Sequence, residues 1–192
     1  KRYPVLAGLI FAMFFVYIAS HAVQSTWAYF TMYRFDWGEA EVGYSLGFVG
    51  VLSALVQGLL IRWLIPKIGQ NAAVYIGMIL YAFGLVLFSM AGEGWMVYPY
   101  MVVYCLGGIA GPALQGIMSN QVPSNEQGEL QGALTSMMSL TSIIGPPVMT
   151  GLFAFFTGPE APIELPGAPM MLGAALVLIG LFLSWRVLSK MK

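Results

Sequence analysis

The chain has 192 residues, of which 59% are hydrophobic and 8% charged, and its formal net charge is zero. Soluble domains carry about 25% charged residues, so a chain with a mean hydropathy of +0.80 has lipid for most of its solvent. Zero net charge without a basic patch disfavours nucleic-acid binding, and one cysteine with one histidine excludes an internal disulfide and a zinc site.

Six apolar segments follow one another at 4–33, 40–64, 71–91, 95–119, 126–156 and 169–188, each near the ~20 residues that cross a bilayer. The first and fifth are long enough to tilt or to extend past it. The first is too long for a removable leader and has no small-residue cleavage site, so no cleaved signal is expected. Asp36-Trp-Gly-Glu39 reads as a capping box that opens the second helix. The stretch from Pro66 to Gln70 breaks the chain before the third segment, and Ala91 to Gly94 before the fourth. Between Gly107 and Pro147 two apolar helices meet at a polar turn. Pro123 marks the break, and Ser124-Asn-Glu-Gln127 reads as a second capping box, with Glu126 and Glu129 at the positive end of the new helix dipole. Small residues flank this turn: Gly107, Gly111 and Gly116 before it, Gly128, Gly132, Ser136, Ser139, Ser142 and Gly145 after it. They predict a tightly packed hairpin, and Gly111-Pro112 and Gly145-Pro146-Pro147 predict bends in both helices. The pairs Gly43/Gly47 and Gly107/Gly111 are weaker signs of close helix approach. The connection from Thr157 to Pro169 carries four prolines and is expected to be extended.

With both termini on one side, Lys1, Arg2, Arg62, Lys67, Arg186, Lys190 and Lys192 share that side and only Arg34 lies opposite. By the positive-inside rule both termini are expected in the cytoplasm. Tyr29, Tyr33, Trp37, Trp95 and Tyr98 then fit an outer aromatic belt, and Trp63 and Trp185 an inner one.

Polar groups at membrane depth are few. His21 is the one titratable side chain inside an apolar span. It suits a pH-linked role or a neutral, hydrogen-bonded one, and both stay open. Gln24 and Ser25 follow it by three and four positions and share its face, which fits cavity lining or a bond to another helix. Ser53 and Gln57 make a second such pair, and Gln115 lies one turn beyond Gly111. Ser136, Ser139, Thr141 and Ser142 read as packing and backbone-bonding residues. The chain shows no nucleophile–base pair, metal cluster or phosphate loop, and no enzyme activity is expected.

These residues carry a resemblance. The six segments look like one half of a major facilitator superfamily transporter, closest to the C-terminal half of the tetracycline/proton antiporters and their drug-efflux relatives. GGIAGPALQGIMSNQV and QGELQGALTSMMSLTSIIGPP resemble that group's tenth and eleventh helices. Gly145 to Gly151 is similar to the Gly-Pro-rich antiporter motif of the fifth helix. Gly58 to Gln70 looks like a degraded second copy of the superfamily loop signature, keeping the Gly, one Arg, one Lys and the later Gly but lacking its Asp-Arg pair.

The resemblance implies an all-α fold, with residues 1–192 as a single six-helix domain equivalent to helices 7–12. The N-terminal six-helix half would be absent from this chain, which starts with Lys-Arg and has no initiating Met. It further implies drug/proton antiport by alternating access in a bacterial inner membrane, with an amphipathic drug-like substrate and membrane lipid as partners. No cofactor is expected beyond the proton gradient. The acidic residues the antiporters carry in this half are missing, which places coupling in the absent half. His21, Gln24, Ser25, Gln57 and Gln115 are the expected substrate-binding residues. Gly107, Gly111, Pro112, Gly145, Pro146, Pro147 and Gly151 are the expected packing and conformational ones. Two rival readings are a symporter or uniporter for small metabolites on the same fold, and a self-contained six-helix scaffold or lipid-binding protein.

Overall fold

A computed structural model describes residues 4–191 of the chain. Lys1, Arg2 and Lys192, counted above in the charge asymmetry, lie outside the described residues. The described residues are helical almost throughout. The helices are α1 (Pro4–Gln24), α2 (Trp27–Phe35), α3 (Glu39–Leu55), α4 (Ile61–Ile68), α5 (Gln70–Met90), α6 (Val97–Leu106), α7 (Ala110–Asn120), α8 (Gln127–Thr157) and α9 (Ala168–Leu188). A π-helical turn, Val56–Leu60, joins α3 to α4, and a 3₁₀ turn, Gly107–Ile109, joins α6 to α7. Six spans are long and apolar enough to cross a membrane: α1, α3–α4, α5, α6–α7, α8 and α9.

The first predicted segment is not one helix. Ser25 Oγ donates to the His21 carbonyl and Thr26 Oγ1 to the Ala22 carbonyl. Hydroxyls that capture carbonyls of the preceding turn compete with the helical ladder, and the chain restarts as α2 at Trp27. The Asp36 capping box also fails. Asp36 adopts a left-handed conformation (φ 55°) and ends α2, while Gly38 N–H donates to Glu41 Oε2 at 2.9 Å to open α3. Pro66 does not break its helix. Its lost amide bond falls inside α4, which runs on to Ile68, and the turn is made by Gly69 at φ 81°.

The Ser124 capping box is replaced by a different device. Gln127 turns back and caps the preceding helix: its Nε2 donates to the carbonyls of Ser119 and Val122, both at 2.8 Å, and its Oε1 accepts from Ser119 Oγ at 3.0 Å. The predicted tight hairpin is also corrected. α8 rests mainly on α1 and, less extensively, on α9, and has little contact with α7. A Cβ at Gly111, Gly128, Gly132 or Gly151 would meet no atom within 4 Å, and the same holds at Gly43 and Gly47. These small residues face open space: α8 packs on α1 and α9 instead of along α7.

Close packing lies elsewhere. α1 and α9 form the most extensive pair, and α5 packs on α9, α6 and α7. On α9, a Cβ at Gly180 would stand 3.0 Å from the Ala12 carbonyl oxygen and one at Gly173 3.2 Å from that of Ala19. Both glycines repeat at seven residues, as do the fully buried Ala12 and Ala19 they face. With no hydrophobic drive between helices in lipid, such flat seams let backbones approach and gain dispersion contacts. Around α5 the same device recurs: Gly77 abuts the Ala110 backbone, Gly84 the Tyr104 backbone, and Gly107 the Tyr81 backbone.

One end of the bundle gathers Arg34, whose Nε donates to the Ala91 carbonyl, and Tyr33, whose hydroxyl donates to Glu164 Oε1 at 3.1 Å. Trp37 stacks near Tyr98 there. At the other end Asn120 Nδ2 donates to Gln70 Oε1, and Lys67 sits 3.6 Å above the Trp63 ring. Arg62, Lys67, Arg186 and Lys190 therefore share one end, opposite Arg34.

Candidate functional site

A cleft of about 330 Å³ opens among α1, the π-helical turn, α5 and the α6–α7 joint. From α1 it receives Val16, Tyr17, Ser20 and Gln24, which recur one helical turn apart and line one face. Ser53 and Gln57 face it from the second span, with Gln57 inside the π-helical turn. Such turns widen a helix by one residue and recur at functional sites. Tyr81 and Tyr104 form its aromatic wall, with ring centroids 5.0 Å apart. Gly107, Gly108, Ala110 and Gly111 supply a floor of nearly bare backbone. A Cβ at Gly108 or Gly111 would point into unfilled space, so side chains there would take up room in the cleft.

The polar groups have unequal freedom. Ser20 Oγ donates to the Tyr17 carbonyl at 2.7 Å, and Ser53 Oγ lies 3.8 Å from Cys105 Sγ. Gln24 and Gln57 are exposed and have no hydrogen-bond partner among the described residues. Two free carboxamides offer two donors and two acceptor lone pairs each, beside aromatic faces and backbone. That set recognises an uncharged or zwitterionic molecule with both donors and acceptors and an apolar body. Ser53, Gln57, Tyr81 and Tyr104 lie well inside their spans, and Gln24 faces them from the last position of α1.

Of the residues singled out in the sequence, the cleft brings together Gln24, Ser53, Gln57, Gly107 and Gly111. His21 and Ser25 are not among its lining residues. The His21 ring is buried against α8 at Gly145, where a Cβ would come within 2.6 Å of its Cγ. Ser25 is spent on the His21 carbonyl. Gln115 is exposed outside the cleft but touches it through one partner, Tyr17, whose hydroxyl accepts from Gln115 Nε2 at 3.4 Å. Pro112 and Pro147 are exposed and Pro146 half-buried. Both prolines of the Gly-Pro-Pro step are carried within continuous α8. Gly151 is exposed, and a Cβ there would meet no atom of another element within 4 Å. Tyr17 and Ser20 were not singled out, although Tyr17-Ser20-Gln24 at i, i+3, i+7 is a legible stripe. Tyr81 and Tyr104 gave no such signal, since tyrosines in apolar runs are mostly packing residues.

A second hollow of about 280 Å³ lies between the start of α1 and the α7–α8 turn. Its only ionisable groups are Glu126 and Glu129, at a helix start near the end of the bundle. The first cleft is the better candidate for recognising a solute.

Six spans of membrane length define an integral membrane protein, and two of them, Glu39–Ile68 and Ser124–Thr157, are exposed along most of their length. The chain belongs to the Major Facilitator Superfamily, whose sequence profile matches residues 1–191. It is similar to the class C tetracycline resistance protein of Escherichia coli, 35% identical over 175 residues that cover 91% of this chain and 43% of that protein. To the class G tetracycline resistance protein of Vibrio anguillarum it is 38% identical over 152 residues, 79% of this chain and 39% of that protein. A more distant likeness, 23% over 181 residues, joins it to human hippocampus abundant transcript-like protein 1, covering 87% of this chain and 36% of that protein. The chain thus spans less than half the length of these relatives.

Proposed function

We propose that this chain is the C-terminal half of a secondary efflux transporter that exports a small amphipathic solute in exchange for protons. The observation that carries the reading is the cleft itself. Gln57 stands free well inside its span and Gln24 faces the same cleft from the end of α1; an unmet polar group facing lipid is costly, so they call for a solute or water in front of them. The similarity to tetracycline resistance proteins supports a tetracycline-like solute: a rigid aromatic body edged with donors and acceptors suits the tyrosine wall and the two carboxamides. The exposed flanks of α3 and α8 support a second six-helix half seated opposite, with the cleft between the halves and alternating access produced by rocking of one against the other. The shared basic end supports cytoplasmic termini in a bacterial inner membrane.

The test is transport by the complete polypeptide in an efflux-deficient bacterium. Tetracycline accumulation should fall on expression and recover when a protonophore collapses the gradient. Accumulation unchanged by expression would overturn the efflux reading. Export that survives the protonophore would overturn proton coupling alone.

A further inference from the structure

A groove of about 360 Å³ runs along the outside of the bundle between α5 and α9. Its walls are Tyr75 and Ile79 from α5 and Leu178, Leu181, Phe182 and Trp185 from α9. It lies on the far side of α5 and α9 from the residues they give to the core, and it shares no residue with the cleft. Phe182 and Trp185 stack at 6.1 Å and are each 55% exposed. The two helices run in opposite directions, so Tyr75 and Trp185 meet at the basic end while Ile79 and Leu178 lie deeper.

Beyond that end stand Arg186 and Lys190, one helical turn apart and both exposed. Neither has a carboxylate partner among the described residues, in contrast to Lys67, which is seated on Trp63. The Tyr75 hydroxyl also has no hydrogen-bond partner there. An apolar furrow along two spans, an aromatic pair towards its basic end and two cations that follow on the same helix have the layout of a single phospholipid. Basic pockets between membrane helices at the cytoplasmic side favour anionic headgroups.

We propose that this groove binds an anionic phospholipid, its acyl chain along Ile79, Leu178 and Phe182 and its phosphate held by Arg186 and Lys190. A second copy of the chain fits less well. Two copies in one membrane meet in parallel, and a two-fold contact here would bring the two Arg186–Lys190 pairs against each other. The leaflet assignment rests on the orientation proposed above, but the site itself does not.

The test reads lipid at Trp185. Full-length protein is placed in phosphatidylcholine vesicles doped with phosphatidylglycerol or phosphatidylcholine carrying brominated acyl chains. The emission lost by Trp185 is taken as the difference from a Trp185→Phe protein. Brominated phosphatidylglycerol should quench Trp185 with about tenfold higher relative affinity than brominated phosphatidylcholine. The preference should vanish in Arg186→Gln/Lys190→Gln and survive in Arg186→Lys. Equal quenching by the two lipids, or a preference that persists in the double Gln variant, would overturn the site. Efficient disulfide dimers from Leu178→Cys would overturn it in favour of a second copy. The readout needs no transport, so failure of the efflux reading leaves it intact and its own failure leaves efflux intact.

Discussion

Gly145 and His21 show how one residue's absence of a side chain fixes its neighbour. The His21 ring fills the space a Cβ would occupy on α8, so even one added methyl meets the imidazole. Overpacking of this kind costs roughly 1–3 kcal/mol. Gly145→Ala should therefore lower the unfolding midpoint of the full-length protein, and His21→Ala in the same chain should restore much of the loss. Non-additivity is the signature of direct contact, and strictly additive midpoints would place the two residues apart. Ser184 makes the opposite case. Its hydroxyl is fully buried in α9 without a hydrogen-bond partner. An unmet buried polar group is a liability of about 1–3 kcal/mol, so Ser184→Ala should leave stability unchanged or raise it. A clear drop in a thermal melt would show that Ser184 has a partner.

At the scale of elements, the α7–α8 turn depends on Gln127. This side chain satisfies two carbonyls and a hydroxyl at the end of α7, where helices otherwise leave orphan acceptors. Gln127→Ala should cost about 1–3 kcal/mol, while Ser124→Ala, which removes no cap bond, should cost little. Equal losses in a denaturation comparison would restore the capping-box reading. A second local contact tethers the loop after α8. Tyr33 donates to Glu164, and this bond to a carboxylate, with some burial, holds the Tyr33 phenol above its usual titration range. A neutral phenol is the form the bond favours, so the tether is present below the ordinary tyrosine range and is lost as pH rises through the raised value. Glu164→Gln should return Tyr33 towards ordinary titration, read as a difference in phenolate absorbance between the two proteins.

Across the whole molecule, the cleft divides binding from stability. Gln24 is exposed and unbonded, so water replaces any partner it loses. Gln24→Ala should weaken solute binding to the full-length protein by roughly 1–2 kcal/mol while the melting temperature without solute stays put. Intact affinity with a lowered melting temperature would move Gln24 into helix packing. The orientation makes its own claim: a cysteine introduced at Ser124 should react with an impermeant reagent only from the cytoplasm, and one at Glu160 only from outside. Labelling of both from one side would break the six-span topology.

Composition and period alone determined that this chain lives in lipid, that it crosses six times and where its charges fall, because a bilayer demands long apolar helices and tolerates charge only at their ends. The family was legible from the stretch around Gly107 to Gly151, and Gln24 and Gln57 stood out as polar groups where polarity is costly. The sequence could not say which small residues face a neighbour. Gly111 and Gly128 read the same as Gly173 and Gly180, yet the first two face open space and the last two seat α1 on α9. Nor could spacing separate His21 from Gln24. Only packing turned one to α8 and the other to the cleft, because neighbouring positions on a helix diverge once different helices cover its sides. Which residues lie in lipid is a property of each helix; which residues meet is a property of how helices cross, and that is decided by surfaces far apart in the chain.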